Sequence, residues 1–214
     1  MEPVVVATLI ASTLVTLCGV FTKTTKQLIR LLAVQAATLG LVELASCLIN
    51  LILGLEFEAL VDFFATFSEW FVAAVITPLI IYWGMIKTEN VHDEPVINVK
   101  RVGLALVAIV ILSLIPSFFI SQFFPEKINA LPFVALMFSI SVFIIATRTD
   151  PLKILVGLNM AENALYPLFA ESPLFLIPFI LTLMIFVNLV GVFIIVEAYR
   201  DYKAISVKAW RWTE

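Results

Sequence analysis

The sequence predicts an all-α membrane protein of about seven transmembrane helices, with the N-terminus outside the cell and the C-terminus in the cytoplasm. Three observations predict this fold class. First, 62% of the 214 residues are hydrophobic, whereas typical soluble domains are about 45–50% apolar. Second, seven apolar segments approach the ~20 residues that a membrane span needs. Third, nearly all basic residues fall on one side of those segments.

The first three predicted spans cover residues 3–21, 28–54 and 59–86. The first is apolar like a signal peptide, but it lacks a basic start and carries the acidic Glu2, so we interpret it as a retained span. The third ends in Tyr82 and Trp83, two aromatic residues that suit the membrane interface.

The other four predicted spans cover residues 101–124, 130–147, 151–169 and 174–199. A polar loop, 87–100, precedes them, and polar turns lie at 125–127 and 170–173. Asp150 is the predicted N-cap of the sixth span, because Pro151 suits the first helical position. We divide the chain into a four-helix portion (1–125), a three-helix portion (126–200) and a cytoplasmic tail (201–214).

The basic residues predict the orientation. Twelve of the thirteen lysines and arginines lie in the loops after spans one, three and five, in the first residues of the spans that follow these loops, or in the C-terminal tail. Only Lys127 falls on the other side. By the positive-inside rule those loops are cytoplasmic. We expect the chain to be a multi-pass protein of the cell membrane. With an even number of spans, these basic residues would no longer lie on one side of the membrane.

Composition excludes several functional classes. Cys18 and Cys47 form no CxxC motif, and His92 is the one histidine, so no metal site and no disulfide framework are predicted. No basic run suggests nucleic acid. We predict no catalytic residue and no cofactor-binding residue in this chain.

The candidate site lies at 155–165, where Glu162 stands beside Asn159 and Asn163 within an apolar segment. Spacings of three and four residues place side chains on one face of a helix. A charge at mid-membrane depth costs about 2.5–3.5 kcal/mol on insertion scales, so such a residue is by default a functional hypothesis. The alternative is a polar clamp between helices.

Two more acids, Glu43 and Glu69, fall inside predicted spans, and no lysine or arginine lies at comparable depth. The acids are therefore protonated, face water, or meet a cation from a partner subunit. A desolvated carboxylic acid can exchange a proton near neutral pH, as a proton relay requires. The structural alternatives are pairing with a neighbouring chain for Glu69 and a bond to Ser46 for Glu43. Asn188 either joins helices or positions water.

The segment 148–163 (RTDPLKILVGLNMAEN) resembles the middle of the K-type subunit of respiratory complex I and the C-type subunit of Mrp cation/proton antiporters. Over its whole length the chain is more similar to the component E family of hydrogenase-4-type energy-converting nickel–iron hydrogenases. MAEN at 160–163, TPLI at 77–80 and the basic tail carry that similarity. The K-type family has its acid one turn earlier, where Asn159 stands, and a second acid in the last helix, where this chain offers Asn188.

The resemblance implies a non-catalytic membrane-arm subunit of a proton- or sodium-translocating oxidoreductase. Protons would pass laterally through Glu162, Glu69 and Glu43, aided by Asn159, Asn163 and Asn188. The implied partners are antiporter-like membrane subunits, an H-type membrane anchor subunit, and a peripheral redox arm that holds iron–sulfur clusters and the nickel–iron (NiFe) site. The alternatives are a stand-alone secondary transporter, which the absence of an internal repeat disfavours, and a non-conducting assembly subunit.

Overall fold

The computed structural model describes residues 3–89, 99–123, 130–169 and 176–206. Helices account for about 91% of them, and no strand occurs in these ranges, so the all-α prediction is confirmed. Within these ranges there are eight α-helices: α1 (Pro3–Phe21), α2 (Thr25–Ile52), α3 (Glu56–Glu69), α4 (Thr77–Lys87), α5 (Val99–Phe123), α6 (Leu131–Thr147), α7 (Pro151–Phe169) and α8 (Leu176–Tyr202). A seven-residue π-helical segment, Trp70–Ile76, joins α3 to α4.

The helices lie at the seven predicted positions, because α3, the π segment and α4 form one continuous stretch. In the part of the chain that the structure describes, five stretches are long and apolar enough to cross a membrane: α1, α2, the stretch from α3 to α4, α5 and α8. The other two are α6, which is apolar but has only 17 residues, and α7, which carries several polar side chains. The chain is therefore compatible with a membrane protein, and the count of seven spans stays a prediction.

Buried apolar side chains form one large core and two small cores. The large core joins seven helices, all but α3, at the end of the bundle where α2 and α7 begin; it includes Leu28, Ile81, Ile144, Val156 and Val192. One small core contains Ala36, Val72, Ala73, Leu181 and Met184. The other contains Leu9, Leu39, Met137 and Ala164. Helices from both predicted portions share these cores, while the division at residue 125 itself stays a prediction.

The corner between α6 and α7, which we define as residues 148–153, hydrogen-bonds to the connection between α1 and α2. Arg148 donates through Nη2 to the carbonyl oxygens of Val20 (2.7 Å) and Thr22 (2.8 Å), and Lys153 Nζ donates to the carbonyl of Lys23 (2.7 Å). Both basic side chains are buried. Because the last carbonyls of a helix lack partners within the helix, cations stabilise its C-terminus.

Asp150 lies between these two cations in sequence and is also buried. Its Oδ1 accepts from the backbone N–H of Leu152 at 2.9 Å, which confirms the predicted N-cap. Its Oδ2 accepts from the Thr25 hydroxyl at 2.6 Å, at the start of α2. The Asp150 carboxylate therefore accepts hydrogen bonds from the first turns of both α2 and α7.

The exterior is strongly apolar. α5 packs principally on α6, through contacts that include a hydrogen bond from Ser113 Oγ to Ser139 Oγ at 2.9 Å. Leu104 and Leu112 on α5 are more than 70% exposed. Such a surface requires lipid or other subunits around it.

Several predicted features lie outside the described residues. These are the part of the polar loop with His92, the turns at 125–127 and 170–173, the start of the seventh predicted span at Leu174, and the end of the tail at 207–214. The side chains of Glu43 and Glu69 also lie outside the described part, although the backbone places both residues in helices.

The orientation is testable with fusion reporters at both ends of the chain. The seven-span prediction separates the termini by an odd number of spans and puts twelve basic residues on one side. From it we expect a reporter that is active outside the cell to work at the N-terminus and a cytoplasm-active reporter to work at the C-terminus. Reporters that show both termini on the same side would contradict the seven-span prediction.

Candidate functional site

A layer of buried polar side chains crosses the bundle between the large core and the two small cores. Six helices contribute, and each side chain is at most 3% exposed. The layer consists of Ser12 and Thr16 (α1), Gln35 (α2), Thr77 (α4), Ser141 (α6), Asn159 and Asn163 (α7), and Asn188 (α8). Thr77 lies ten residues before the end of α4, which is about 15 Å at the helical rise. This distance is close to half of a ~30 Å hydrocarbon core.

Asn159 and Asn188 form a closed amide pair between α7 and α8. Asn159 Nδ2 donates to Asn188 Oδ1 at 2.8 Å, and Asn188 Nδ2 donates back to Asn159 Oδ1 at 2.7 Å. The second hydrogen of each amide goes to a backbone carbonyl in its own helix, Leu155 or Met184, at 2.8 Å. Each amide is therefore satisfied, and the pair is a helix–helix clamp.

Two other amides in the layer keep unused hydrogen-bonding capacity. Gln35 Nε2 donates to Thr16 Oγ1 (2.8 Å) and to the Met160 carbonyl (3.3 Å), but its Oε1 has no partner. Asn163, three residues after Met160, has no partner for Nδ2. The unpaired Gln35 Oε1 is a hydrogen-bond acceptor, and the unpaired Asn163 Nδ2 is a donor. Leaving such a buried atom unsatisfied costs about 1–3 kcal/mol, and buried water is the usual remedy in proteins.

Glu162 lies on the one outward stripe of α7. Most described side chains of that helix are buried. The partly or fully exposed ones before and after Glu162 are Ile154, Leu158, Leu165, Pro167 and Leu168. One edge of the stripe borders α6, since a Cβ added at Gly157 would lie 2.9 Å from Ile145. The other edge borders α8.

The structure places Glu162 differently from the prediction that it shares a face with Asn159. Three residues rotate by about 300° around a helix, so the two side chains point about 60° apart. Because the exposed stripe of α7 is narrow, that angle is enough to bury Asn159 inside the bundle while Glu162 stays partly exposed at its edge. No described residue donates a hydrogen bond to the Glu162 carboxylate or forms an ion pair with it.

The π segment interrupts the third helical stretch directly after Glu69. Trp70 Nε1 donates to the Ala37 carbonyl of α2 at 3.0 Å. The indole lies so close to α2 that a Cβ at Gly40 would come within 2.5 Å of Nε1. After the π segment, the buried hydroxyl of Thr77 has no hydrogen-bond partner, and Pro78 has no N–H. π-helical segments occur often at functional sites, and Glu69 is the residue directly before this one.

One further acid inside the third predicted span was not predicted as a site residue. Asp62 in α3 accepts a hydrogen bond from Asn50 Nδ2 at 2.8 Å, across the turn between α2 and α3. The sequence does contain a signal for this pair, because Asn50 and Asp62 lie twelve residues apart on opposite sides of a short turn between two helices. This acid has its partner within the chain, unlike Glu162.

The structure thus brings together two of the six predicted relay residues, Asn159 and Asn188. It buries Asn163 in the same layer and turns Glu162 outward. Among the described residues, no three His, Cys, Asp or Glu side chains come together as metal ligands would. Comparisons of the chain with family models, curated proteins and solved structures gave no match.

The amide pair predicts a specific pattern in a double-mutant cycle. We expect Asn188→Leu alone to destabilise the protein by about 1–2 kcal/mol, because it leaves the Asn159 amide buried and unsatisfied. The double variant Asn159→Leu/Asn188→Leu should recover part of that loss, since it removes both halves of the pair. Thermal unfolding in detergent measures Asn188→Leu, Asn159→Leu and the double variant. Strictly additive effects would show that the two amides do not interact.

Proposed function

We propose that this chain is a non-catalytic membrane-arm subunit of a proton- or sodium-translocating oxidoreductase of the energy-converting hydrogenase type. In this proposal Glu162 passes protons between this chain and a neighbouring membrane subunit. The observation that carries the proposal is the outward position of Glu162, halfway along α7, without a hydrogen-bond donor among the described residues.

The energetics of that position favour a partner subunit. A charged residue facing lipid at mid-depth costs about 2.5–3.5 kcal/mol, and nothing described in this chain offsets the cost. A neighbouring subunit that brings a donor, a cation or a file of water to the stripe would offset it. Leu158 is 46% exposed and would be covered by the same subunit.

A relay explains an acid at this position better than a clamp does. The Asn159–Asn188 pair already clamps α7 to α8 with all four amide hydrogens used. A glutamine at 162 would serve a clamp as well as an acid, without the cost of ionisation. The unused atoms of Gln35 and Asn163 supply hydrogen-bonding sites for water in the layer behind Glu162.

The other parts of the proposal follow from the family resemblance. The partners are antiporter-like subunits, an H-type membrane anchor and a peripheral arm that carries the iron–sulfur clusters and the nickel–iron site. Glu69, at the start of the π segment, and Glu43, in α2, are the proposed further stations of the relay. The proposed location is the cytoplasmic membrane.

One observation favours a second candidate, a stand-alone secondary transporter. Helices broken near the bilayer midplane form the substrate sites of many transporters, and the π segment followed by Pro78 interrupts regular helix near that depth. A non-conducting assembly subunit is the third candidate, and the exposed apolar faces of α5 and α8 are compatible with it.

Purification from the native membrane separates these candidates. The proposal expects the tagged full-length chain to copurify, in mild detergent, with further membrane subunits and with soluble subunits that contain iron–sulfur clusters. An irrelevant membrane protein with the same tag is the control. If the chain is isolated alone and catalyses ion transport in liposomes, the stand-alone transporter is the right function.

A further inference from the structure

A shallow apolar groove runs along the outer surface between α2 and the stretch from Trp70 to Tyr82. It consists of two adjoining depressions that share Ala33, Ala74 and Val75. Small side chains form its floor, so the two helices leave a furrow there. The groove is separate from Glu162, which lies on α7.

The two ends of the groove differ in chemistry. One end is lined by Arg30 and Tyr82, and the other by Leu41 and Trp70. Arg30 lies five residues after the start of α2, and Tyr82 lies five residues before the end of α4, so both belong near the same membrane surface. Arg30 is exposed and forms no hydrogen bond or ion pair with any described residue.

The length of the groove matches one leaflet of a bilayer. Eleven residues of α2 separate Arg30 from Leu41, which is about 16 Å at the helical rise. Half of the ~30 Å hydrocarbon core is about 15 Å. An arginine side chain can also extend toward the headgroups while its aliphatic part stays on apolar surface. A neighbouring aromatic residue, Trp83, is 48% exposed and suits the interface.

We propose that this groove binds a phospholipid with an anionic headgroup. The acyl chain lies over Ala33 and Ala74 toward Trp70, and the guanidinium of Arg30 holds the phosphate, an anion whose geometry it matches with two parallel hydrogen bonds. A second apolar groove, between α5 and α6, has no basic residue in its lining and provides an internal comparison. This inference does not depend on the redox partners proposed above.

Photo-crosslinking tests the proposal on the full-length chain with its copurifying subunits. The probes are phosphatidylglycerol and phosphatidylcholine, each with a photoreactive group in one acyl chain. We expect peptides from the groove to be labelled more strongly by phosphatidylglycerol, by about fivefold, the ratio that one basic residue contributes at an anionic membrane surface. Peptides from the α5–α6 groove should show no such preference.

Three variants complete the experiment. Arg30→Gln should abolish the preference for phosphatidylglycerol, whereas Arg101→Gln, which removes an exposed charge at the start of α5, should preserve it. Ala33→Phe fills the floor and should reduce labelling of the groove by both lipids. If Arg30→Gln keeps the wild-type preference, or if a protein subunit shields the groove from both lipids, the proposal is overturned.

Discussion

Replacing Glu162 by glutamine should leave the complex assembled but abolish the ion translocation that accompanies its electron transfer. Glutamine has nearly the same shape and can hydrogen-bond, so packing against a neighbouring subunit should survive. It cannot bind and release a proton at any physiological pH, so a relay through this position stops. We expect translocated protons per electron in proteoliposomes to fall at least tenfold while redox turnover continues.

The matched control is Glu197→Gln. Glu197 lies near the end of α8 and pairs with Arg200 at 2.7 Å on the exposed surface, so its loss removes one carboxylate outside the proposed path. It should translocate protons like the wild type. A complex with Glu162→Gln that assembles and still pumps normally would show that Glu162 is a packing residue.

Asp150→Ala should cause the largest loss of stability among single substitutions at the α6–α7 corner. The substitution removes the N-cap of α7 and the charged acceptor of the Thr25 hydroxyl. Together these are worth about 3 kcal/mol. The corresponding fall in Tm, measured in detergent, is roughly 6–12 °C for a chain of this size.

Asp150→Asn separates the two contributions to that loss. The single amide oxygen of asparagine caps helices about as well as aspartate, but its NH2 group cannot accept the hydrogen bond from the Thr25 hydroxyl. We therefore expect a loss smaller than with alanine, which reflects mainly the bond to Thr25. Asp201→Ala, at an exposed position near the end of α8, should leave Tm unchanged. An Asp150→Ala protein that melts at the wild-type temperature would contradict the structural role of the corner.

The helices were predictable because hydrophobic runs and their breaks are local signals. The predicted bounds 3–21 and 151–169 coincide with α1 and α7, and the N-cap at Asp150 follows from the residue type before a proline. The π segment was not predictable in this way. It depends on Trp70 packing against Gly40 of another helix, a contact between distant parts of the chain.

The candidate site was predictable in its residue types and not in its geometry. Asn159 and Asn188 stood out as polar residues in apolar helices, but their mutual hydrogen bonds depend on how α7 and α8 are rotated. The same rotation separates Glu162 from Asn159. Arg148 and Lys153 were counted only as basic residues of a cytoplasmic loop, although the structure buries both against carbonyls of the α1–α2 connection. Their burial follows from tertiary packing, which no count of charges reveals.

The claim that a partner subunit covers Glu162 is tested most directly by a photoreactive amino acid at Leu158, one turn before Glu162 on the same outward stripe. Leu112 on α5, which is 72% exposed, is a control position on another outward-facing helix. In the native membrane, we predict that the probe at Leu158 crosslinks to one membrane subunit in high yield, and that this crosslink is absent when the chain is expressed alone. Crosslinking only to lipid at Leu158, as at a freely lipid-exposed position, would contradict the account.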